Sequence, residues 1–141
     1  MYDILIVGGG PGGLTAAIYA LRAGKSVLVI EKNSFGGQIA FSPKVENIPG
    51  TIEISGAAFA EQLTDQAMNL GADVELENVI KAEKIDGIFR LETEEGSTFE
   101  GRSLILALGV KHRTLGLPGE EDLIGHGISF CAVCDGAFYT N

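Results

Sequence analysis

The stretch YDILIVGGGPGGLTAAIYALRAG at residues 2–24 decides the fold. It opens with the β-rich apolar run YDILIV, which leads directly into glycines and is typical of a buried parallel strand. After Pro11 the apolar residues recur at helical spacing until Gly24 closes the helix. A second apolar run, SVLVIEK at residues 26–32, predicts another buried strand, which ends in an acid. The beginning of the chain therefore predicts a compact βαβ unit.

The glycine run GGGPGG fits the dinucleotide-binding pattern G-x-G-x-x-G, in the required place after a strand and at the start of a helix. We expect Gly8 to permit the tight turn, Gly10 to let backbone approach a pyrophosphate, and Gly13 to let the helix pack closely on the strand. The helix that begins near Pro11 would present its first N–H groups and a partial positive charge to the phosphates. This pattern predicts a bound dinucleotide, and by itself it does not separate FAD from NAD.

An acidic residue strengthens this interpretation. Glu31 ends the second strand 18 residues after Gly13, in the position from which a carboxylate accepts hydrogen bonds from a ribose diol. Its charge would repel a 2′-phosphate, which argues against NADP at this site.

The middle of the chain combines a long irregular segment with further helix and strand patterns. Residues 32–54 are rich in glycine and proline, and an irregular loop of this length usually has a function. Ser55 is placed to cap a helix over residues 56–70, and a short strand is predicted at 74–76.

The following segments predict a small antiparallel meander and then a return to the parallel sheet. Two alternating segments flank Asp86-Gly87, a strong signal for a two-residue hairpin, and Glu95-Gly96 marks a second turn toward residues 97–101. The continuous apolar run SLILALG at residues 103–109 predicts another buried parallel strand.

Composition limits the class of protein. The chain has 141 residues, of which 45% are hydrophobic and 21% are charged, as in one ordinary globular domain. Its net charge of −9 disfavours binding to nucleic acid. Asp3 and the glycines after Val7 interrupt the only long apolar stretch, so we expect no membrane span, no membrane partner and a cytoplasmic location.

The two cysteines lie together in the segment Cys131-Ala132-Val133-Cys134-Asp135. Two thiols at this spacing can close a disulfide, and the neighbouring acid can move protons during thiol exchange. Two alternatives stay open: a zinc site shared with His112 and His126, and a pair of buried structural thiols. A dinucleotide site and a dithiol in one chain favour flavin, since reduced flavin readily attacks a disulfide whereas a nicotinamide passes a hydride.

Taken together, these motifs resemble the low-molecular-weight thioredoxin reductases along essentially the whole chain. The resemblance rests on GGGPGG with Glu31 and on the following segments: GGQ at 36–38, VENIPG at 45–50, LGLPGE at 115–120 and CAVCDG at 131–136. It implies a Rossmann-like α/β fold for FAD binding, with a parallel sheet, crossover helices and the small antiparallel β-meander.

The resemblance also implies roles for single residues. Cys134 would be the thiol next to the flavin, Cys131 the thiol that exchanges with thioredoxin, and Asp135 the acid/base. Asn47 would lie near the flavin ring. The full set of implied cofactor contacts is Gly8, Gly10, Pro11, Gly13, Glu31, Lys32, Gly36, Gly37, Gln38, Asn47, Val79, Ala107 and Gly109. No residue is implied as a metal ligand. One departure is Leu108, where the family usually has threonine and hence a hydroxyl.

Two domains follow from the resemblance. Residues 1–113 would be the N-terminal part of an FAD-binding domain, and residues 114–141 a linker and redox segment that would begin a pyridine-nucleotide domain. The resemblance implies FAD as cofactor, NADPH as donor at a site outside this chain, thioredoxin or a similar small disulfide protein as partner, and a homodimer when complete. We expect the 141 residues alone to be inactive as a reductase. Ferredoxin or NADH as donor, another disulfide partner, and a non-enzymatic flavin-binding redox module remain open.

Overall fold

The computed structural model describes residues 1–124 and 126–131. The chain divides into two compact units, Met1–Gly109 and Val110–Asn141. The domain boundary implied by the family resemblance stays a prediction. Within the described residues, no helix has both the length and the apolar character needed to cross a membrane.

Among the residues that the structure describes, most regular structure lies in the first unit. Its elements in chain order are β1 (Tyr2–Val7), α1 (Pro11–Arg22), β2 (Val27–Glu31), a 3-10 helix (Gly37–Phe41), α2 (Gly56–Asn69), β3 (Asp73–Leu76), β4 (Val79–Ile85), β5 (Ile88–Thr93) and β6 (Thr98–Leu106). The second unit contains the short helix α3 (Glu120–Leu123). The side chain of Ser55 caps α2 as predicted, since its hydroxyl accepts a hydrogen bond from the Ala58 N–H.

All six strands form one sheet in the order β3-β2-β1-β6-β5-β4. β1 pairs in parallel with β2 and β6, and β2 pairs in parallel with β3. β5 pairs antiparallel with both β4 and β6. The predicted Rossmann-like α/β fold with an antiparallel meander is therefore confirmed.

The last strand differs from the sequence prediction. Residues 97–101 and 103–109 were expected to form separate strands, but β6 is one continuous strand that pairs antiparallel with β5 at Phe99 and parallel with β1 at Ile105. Gly101 lies where the two pairings meet, facing both Tyr2 and Phe89. A Cβ atom there would lie 2.6 Å from the Leu5 side chain, so glycine allows this close approach. The meander is thus an extension of the parallel sheet.

Two apolar clusters hold the unit together, one on each face of the sheet. Ile6, Val27 and Val29 pack with residues of α1 and α2 on the first face. On the second face, Leu5, Leu28 and Ile30 cluster with Leu91 of β5, joined by partly buried residues that include Leu104. Side chains of a strand alternate between faces, which explains this division. Leu91, a residue of the meander, therefore packs on the face opposite the helices.

The expectation that the final parallel strand is buried was wrong at its carboxyl end. Leu106 is 60% exposed, although Leu104, two residues earlier on the same face, packs against the cluster that contains Leu91. The apolar run therefore identifies the strand correctly but not its degree of burial within this unit.

We expect Leu91→Ala to lower the free energy of unfolding by about 2–5 kcal/mol, because Leu91 is fully buried and joins the meander to the parallel strands. Ile80→Ala is the matched control on the same meander, since Ile80 is 63% exposed and its loss should cost less than about 0.5 kcal/mol. Chemical denaturation of the intact protein measures both values. Equal losses for the two variants would contradict the assigned core.

Candidate cofactor site and dithiol segment

Four of the predicted cofactor residues lie at the carboxyl edge of the parallel strands. Gly8 follows β1, Glu31 ends β2, and Ala107 follows β6 with its N–H donating to the Val7 carbonyl oxygen at 2.8 Å. Val79 is the first residue of β4, just after the end of β3, and packs against the cluster that contains Leu91. In open α/β sheets, ligands bind in the crevice at this edge.

The turn at Gly8 is possible only for glycine. Its φ of +111° lies in a region that other residues rarely adopt. A Cβ atom at this position would lie 2.1 Å from the Ala107 carbonyl oxygen. The Gly8 N–H also donates to the Ile30 carbonyl oxygen at 2.8 Å, which fixes the turn against β2.

The remaining fingerprint glycines have different environments. A Cβ atom on Gly13 would lie 1.9 Å from the Gly8 carbonyl oxygen, so α1 sits directly on the turn. A Cβ atom on Gly10 would meet nothing nearer than the Gly37 Cα at 3.9 Å, and Gly10 has an ordinary φ of −79°. Nothing within the described residues therefore requires glycine at position 10.

The space in front of Gly10 suits an anionic ligand. Gly10 is the N-cap of α1 and provides no side-chain cap for the first turn, whose first residue is Pro11. A Cβ atom on Gly12 would have no neighbour within 4 Å, so this side of the helix start is open as well. Uncapped N–H groups at a helix N-terminus beside open space are the setting in which pyrophosphate binds, so the residues present fit a dinucleotide.

Glu31 is held in place by backbone donors. Its Oε2 accepts a hydrogen bond from the Gly9 N–H at 2.8 Å, and its Oε1 accepts one from the Asn33 N–H at 3.0 Å. A carboxylate has about four acceptor positions, so each oxygen keeps capacity for a ribose hydroxyl. The sequence pattern identified Glu31 but not Gly9 and Asn33, because both act through their main chain.

A second glycine segment lies against the first. The Gly36 N–H donates to the Gly9 carbonyl oxygen at 2.7 Å, and a Cβ atom on Gly9 would lie 2.5 Å from the Phe35 ring. Gly36 has a φ of +105°, and a Cβ atom there would lie 2.3 Å from the Ala60 Cβ of α2. Ala60 of helix α2 therefore packs against the segment 35–37, which is hydrogen-bonded to the glycine loop on its other side.

Phe35 and Ala60 are the neighbours that sequence reasoning missed. The pair Gly36-Gly37 signalled a sharp turn, but no sequence rule indicated which distant residues would pack against it. The remaining implied contacts, Lys32, Gln38, Asn47 and Gly109, are exposed. Their assignment to the cofactor stays a prediction.

The dithiol segment lies in the second unit, and the structure describes it only as far as Cys131. Cys131 is partly buried and disulfide-bonded, and its N–H donates to the Ser129 hydroxyl oxygen at 3.1 Å. Cys134 and Asp135 lie outside the described residues, so their predicted roles stay predictions.

Glu120 folds the chain that precedes this segment. The residue is 4% exposed, and its carboxylate accepts three backbone hydrogen bonds, from Leu115 and Gly116 at 2.7 Å each and from Leu117 at 3.2 Å. The hydrogen bond from the Leu115 N–H, supported by those from Leu117 and Gly116, lowers the pKa of this carboxyl group. The motif LGLPGE is therefore a turn whose backbone N–H groups donate to its own glutamate, and we call these three hydrogen bonds the Glu120 clasp.

A family profile described as pyridine nucleotide-disulphide oxidoreductase matches residues 2–141. The chain belongs to this family.

Similar proteins of this family include thioredoxin reductases. The chain is 44% identical to the thioredoxin reductase of Treponema pallidum, covering 99% of this chain and 46% of that protein. It is 42% identical to the thioredoxin reductase of Listeria innocua, covering 100% of this chain and 44% of that protein. The crystal structure of thioredoxin reductase from Streptococcus pyogenes superposes with a TM-score of 0.87 at 40% identity, over 100% of this chain and 46% of that one. The chain thus spans about half the length of these relatives.

We expect Gly10→Ala to leave the apoprotein folded, with a change in unfolding free energy below about 1 kcal/mol, because the added Cβ would come no closer than 3.9 Å to a neighbouring atom. Its cofactor affinity should fall by about tenfold or more, since the methyl group would occupy the approach to the helix N-terminus. Gly13→Ala is the contrasting variant, and its contact with the Gly8 carbonyl oxygen should cost about 2–3 kcal/mol of stability. Reconstitution titrations and denaturation curves measure the two effects. Wild-type cofactor affinity in Gly10→Ala would contradict the assigned pyrophosphate position.

The Glu120 clasp should make stability depend on acid. Since the folded-state pKa lies below the ordinary value of 4.5, the clasp stabilises fully above that value and its contribution disappears as the pH falls through the folded-state pKa. Glu120→Gln should therefore be less stable than wild type at neutral pH, and the gap should narrow below about pH 4.5. Unfolding midpoints between pH 3 and 7 measure the gap, with Glu121→Gln, an exposed neighbour, as control. A gap that is independent of pH would argue against the charged clasp.

Proposed function

We propose that the protein is an FAD-dependent thiol-disulfide oxidoreductase of the thioredoxin reductase type. It would pass electrons from NADPH through FAD to the Cys131/Cys134 dithiol and on to thioredoxin. The observation that carries this proposal is the convergence of the glycine loop, Glu31 and the segment 35–37 at one sheet edge, in a chain that also contains a C-x-x-C-D motif.

The chain's own residues would form the binding site for FAD. The first-turn N–H groups of α1 would bind the pyrophosphate in the space next to Gly10, and Glu31 would accept hydrogen bonds from the adenosine ribose. The segment 35–37, fixed on the glycine loop by the Gly36–Gly9 hydrogen bond, supports an extended ligand that continues beyond the pyrophosphate. Bound FAD would supply two-electron transfer between a nicotinamide and a disulfide.

The dithiol would carry out thiol-disulfide exchange. The Cys131 thiolate attacks one sulfur of the partner's disulfide, forming a mixed disulfide and releasing the other partner sulfur as a thiolate. The Cys134 thiolate then attacks the Cys131 sulfur, which closes the Cys131–Cys134 disulfide and releases the second partner sulfur. Two electrons pass to the partner, its two sulfurs take up two protons, and Asp135 would serve as the acid/base.

The proposal includes further assignments that rest on the similar proteins and the sequence motifs. These are NADPH as donor, thioredoxin as partner, a homodimer and a cytoplasmic location, together with an FAD-binding domain over residues 1–113. Ferredoxin as donor or a different disulfide protein as partner would leave the cofactor site and the dithiol chemistry unchanged.

The cofactor assignment is tested by purifying the intact protein, releasing its cofactor by heat and identifying it by chromatography. We expect FAD, because the chain combines Glu31 and the flavin-type loop of residues 36–47 with a dithiol, and reduced flavin readily attacks a disulfide. Recovery of NAD without flavin would contradict the proposal. Metal analysis of the same sample tests the zinc alternative. A protein that contains zinc and no flavin would support that alternative.

The roles of the cysteines are tested with single variants of the intact protein. Cys134→Ser should abolish electron transfer from flavin to disulfide, because it removes the thiol assigned next to the flavin, yet leave reduction of the flavin by NADPH intact. Cys131→Ser should block exchange with thioredoxin. Stopped-flow flavin absorbance and steady-state thioredoxin reduction measure the two steps. If both variants reduced thioredoxin at the wild-type rate, the dithiol mechanism would be wrong. A wild-type protein that binds flavin but shows no turnover would favour the non-enzymatic redox module.

A further inference from the structure

Two aromatic rings stack on each other, and one of them belongs to the residue that precedes Cys131. The imidazole of His112 stacks on the ring of Phe130, with centroids 4.5 Å apart and an interplanar angle of 7°. Both residues belong to the second unit, and Phe130 directly precedes Cys131. The sequence suggested His112 only as a metal ligand, so this contact gives the residue a different interpretation.

The stack lies at the surface and is not part of an apolar core. His112 is exposed and Phe130 is 37% exposed. A centroid distance of 4.5 Å with nearly parallel planes falls within the range of favourable offset stacking. The rings therefore join two chain segments that lie 18 positions apart in sequence, residue 112 and the residue before Cys131.

The main chain at Cys131 has a second restraint. Its N–H donates to the Ser129 hydroxyl oxygen at 3.1 Å, the local turn that serine favours two residues before a donor. This hydrogen bond fixes the chain only locally, because it joins neighbours. The ring stack, by contrast, connects the residue before Cys131 to residue 112, in a more distant part of the unit.

We propose that His112 is a positioning residue for Cys131, holding the exchanging sulfur in place through its stack on Phe130. This inference rests on the proposed function, since it assigns a role in the attack of the Cys131 thiolate on the partner's disulfide. His112 takes no part in the bonds that form and break in that step. With the stack lost, the segment samples more conformations, and in a smaller fraction of the complexes with the partner is the Cys131 sulfur in position for exchange.

The geometry favours a role for the flat ring itself. With planes only 7° apart, His112 presents its face to Phe130, so its ring nitrogens do not point at the phenyl ring. Another flat aromatic ring can therefore replace the imidazole. His112→Phe keeps the stack and removes the nitrogens, whereas His112→Ala removes both.

The kinetic test uses the intact, flavin-loaded protein with thioredoxin as substrate. His112→Ala should lower kcat for thioredoxin reduction by about threefold to tenfold, the loss that corresponds to one aromatic pair. Phe130→Leu should do the same, and the double variant should be no slower than either single variant, because both remove one contact. His112→Phe should stay within about twofold of wild type. His126→Ala, at the chain's other histidine, is the matched control and should be unchanged.

Two kinetic outcomes would overturn the proposal. Wild-type kcat in His112→Ala would show that the stack does not position the cysteine. A loss in His112→Phe as large as in His112→Ala would show that the imidazole nitrogens matter instead. Reduction of flavin by NADPH should be equal in all variants, and a parallel loss in that step would also count against a role limited to Cys131.

A spectroscopic test separates this inference from the proposed function. In selectively labelled protein, the ring protons of His112 should be shifted upfield by the Phe130 ring current, and the shift should vanish in Phe130→Leu. Absence of that change would overturn the stack whether or not the protein reduces thioredoxin. A protein that shows the shift but reduces no disulfide would overturn the proposed function, and the role of His112 with it. A shift with wild-type turnover in His112→Ala would overturn the positioning role alone.

Discussion

The turn between β1 and α1 is the constraint on which the first unit depends. At Gly8 the chain leaves the sheet with a positive φ, and a Cβ atom at this position would collide with the Ala107 carbonyl oxygen. The Gly8 carbonyl oxygen in turn lies so close to Gly13 that no Cβ atom fits there. Because the helix starts in contact with this turn, α1 lies directly on the sheet, and its apolar side chains close the first core. Gly10, in the same turn, has room for a Cβ atom, so the turn that determines the fold also borders the space for a ligand.

A second glycine segment and an acid turn this space into a defined site. Glu31 bonds to the main chain of the glycine loop and to Asn33, which orients its carboxylate before any ligand arrives. The hydrogen bond between Gly36 and Gly9 brings the long loop after β2 onto the same surface, and Ala60 of α2 supports it from behind. The site is therefore built mostly from backbone, which suits a ligand with phosphate and ribose groups.

The second unit follows a different principle, because its described residues, 110–124 and 126–131, contain little regular structure. Three N–H groups donate to the buried carboxylate of Glu120, and an aromatic pair joins the two ends of the described segment. Each contact replaces part of what a helix or strand would otherwise supply, namely partners for backbone donors and a fixed path for the chain. The cysteine segment follows directly on this folded stretch.

The sequence by itself determined the βαβ unit, the cap at Ser55, the hairpin at Asp86-Gly87 and the dinucleotide fingerprint with Glu31, because each depends on the period of apolar residues or on local backbone chemistry. Only the tertiary structure decided that β6 is one strand joining the meander to the parallel sheet, that its end is exposed at Leu106, and that Phe35 lies on Gly9. It likewise decided the contact of His112 with Phe130. These features join residues that are distant in sequence, and sequence periodicity cannot say which segments meet, because the packing of the whole unit selects the partners.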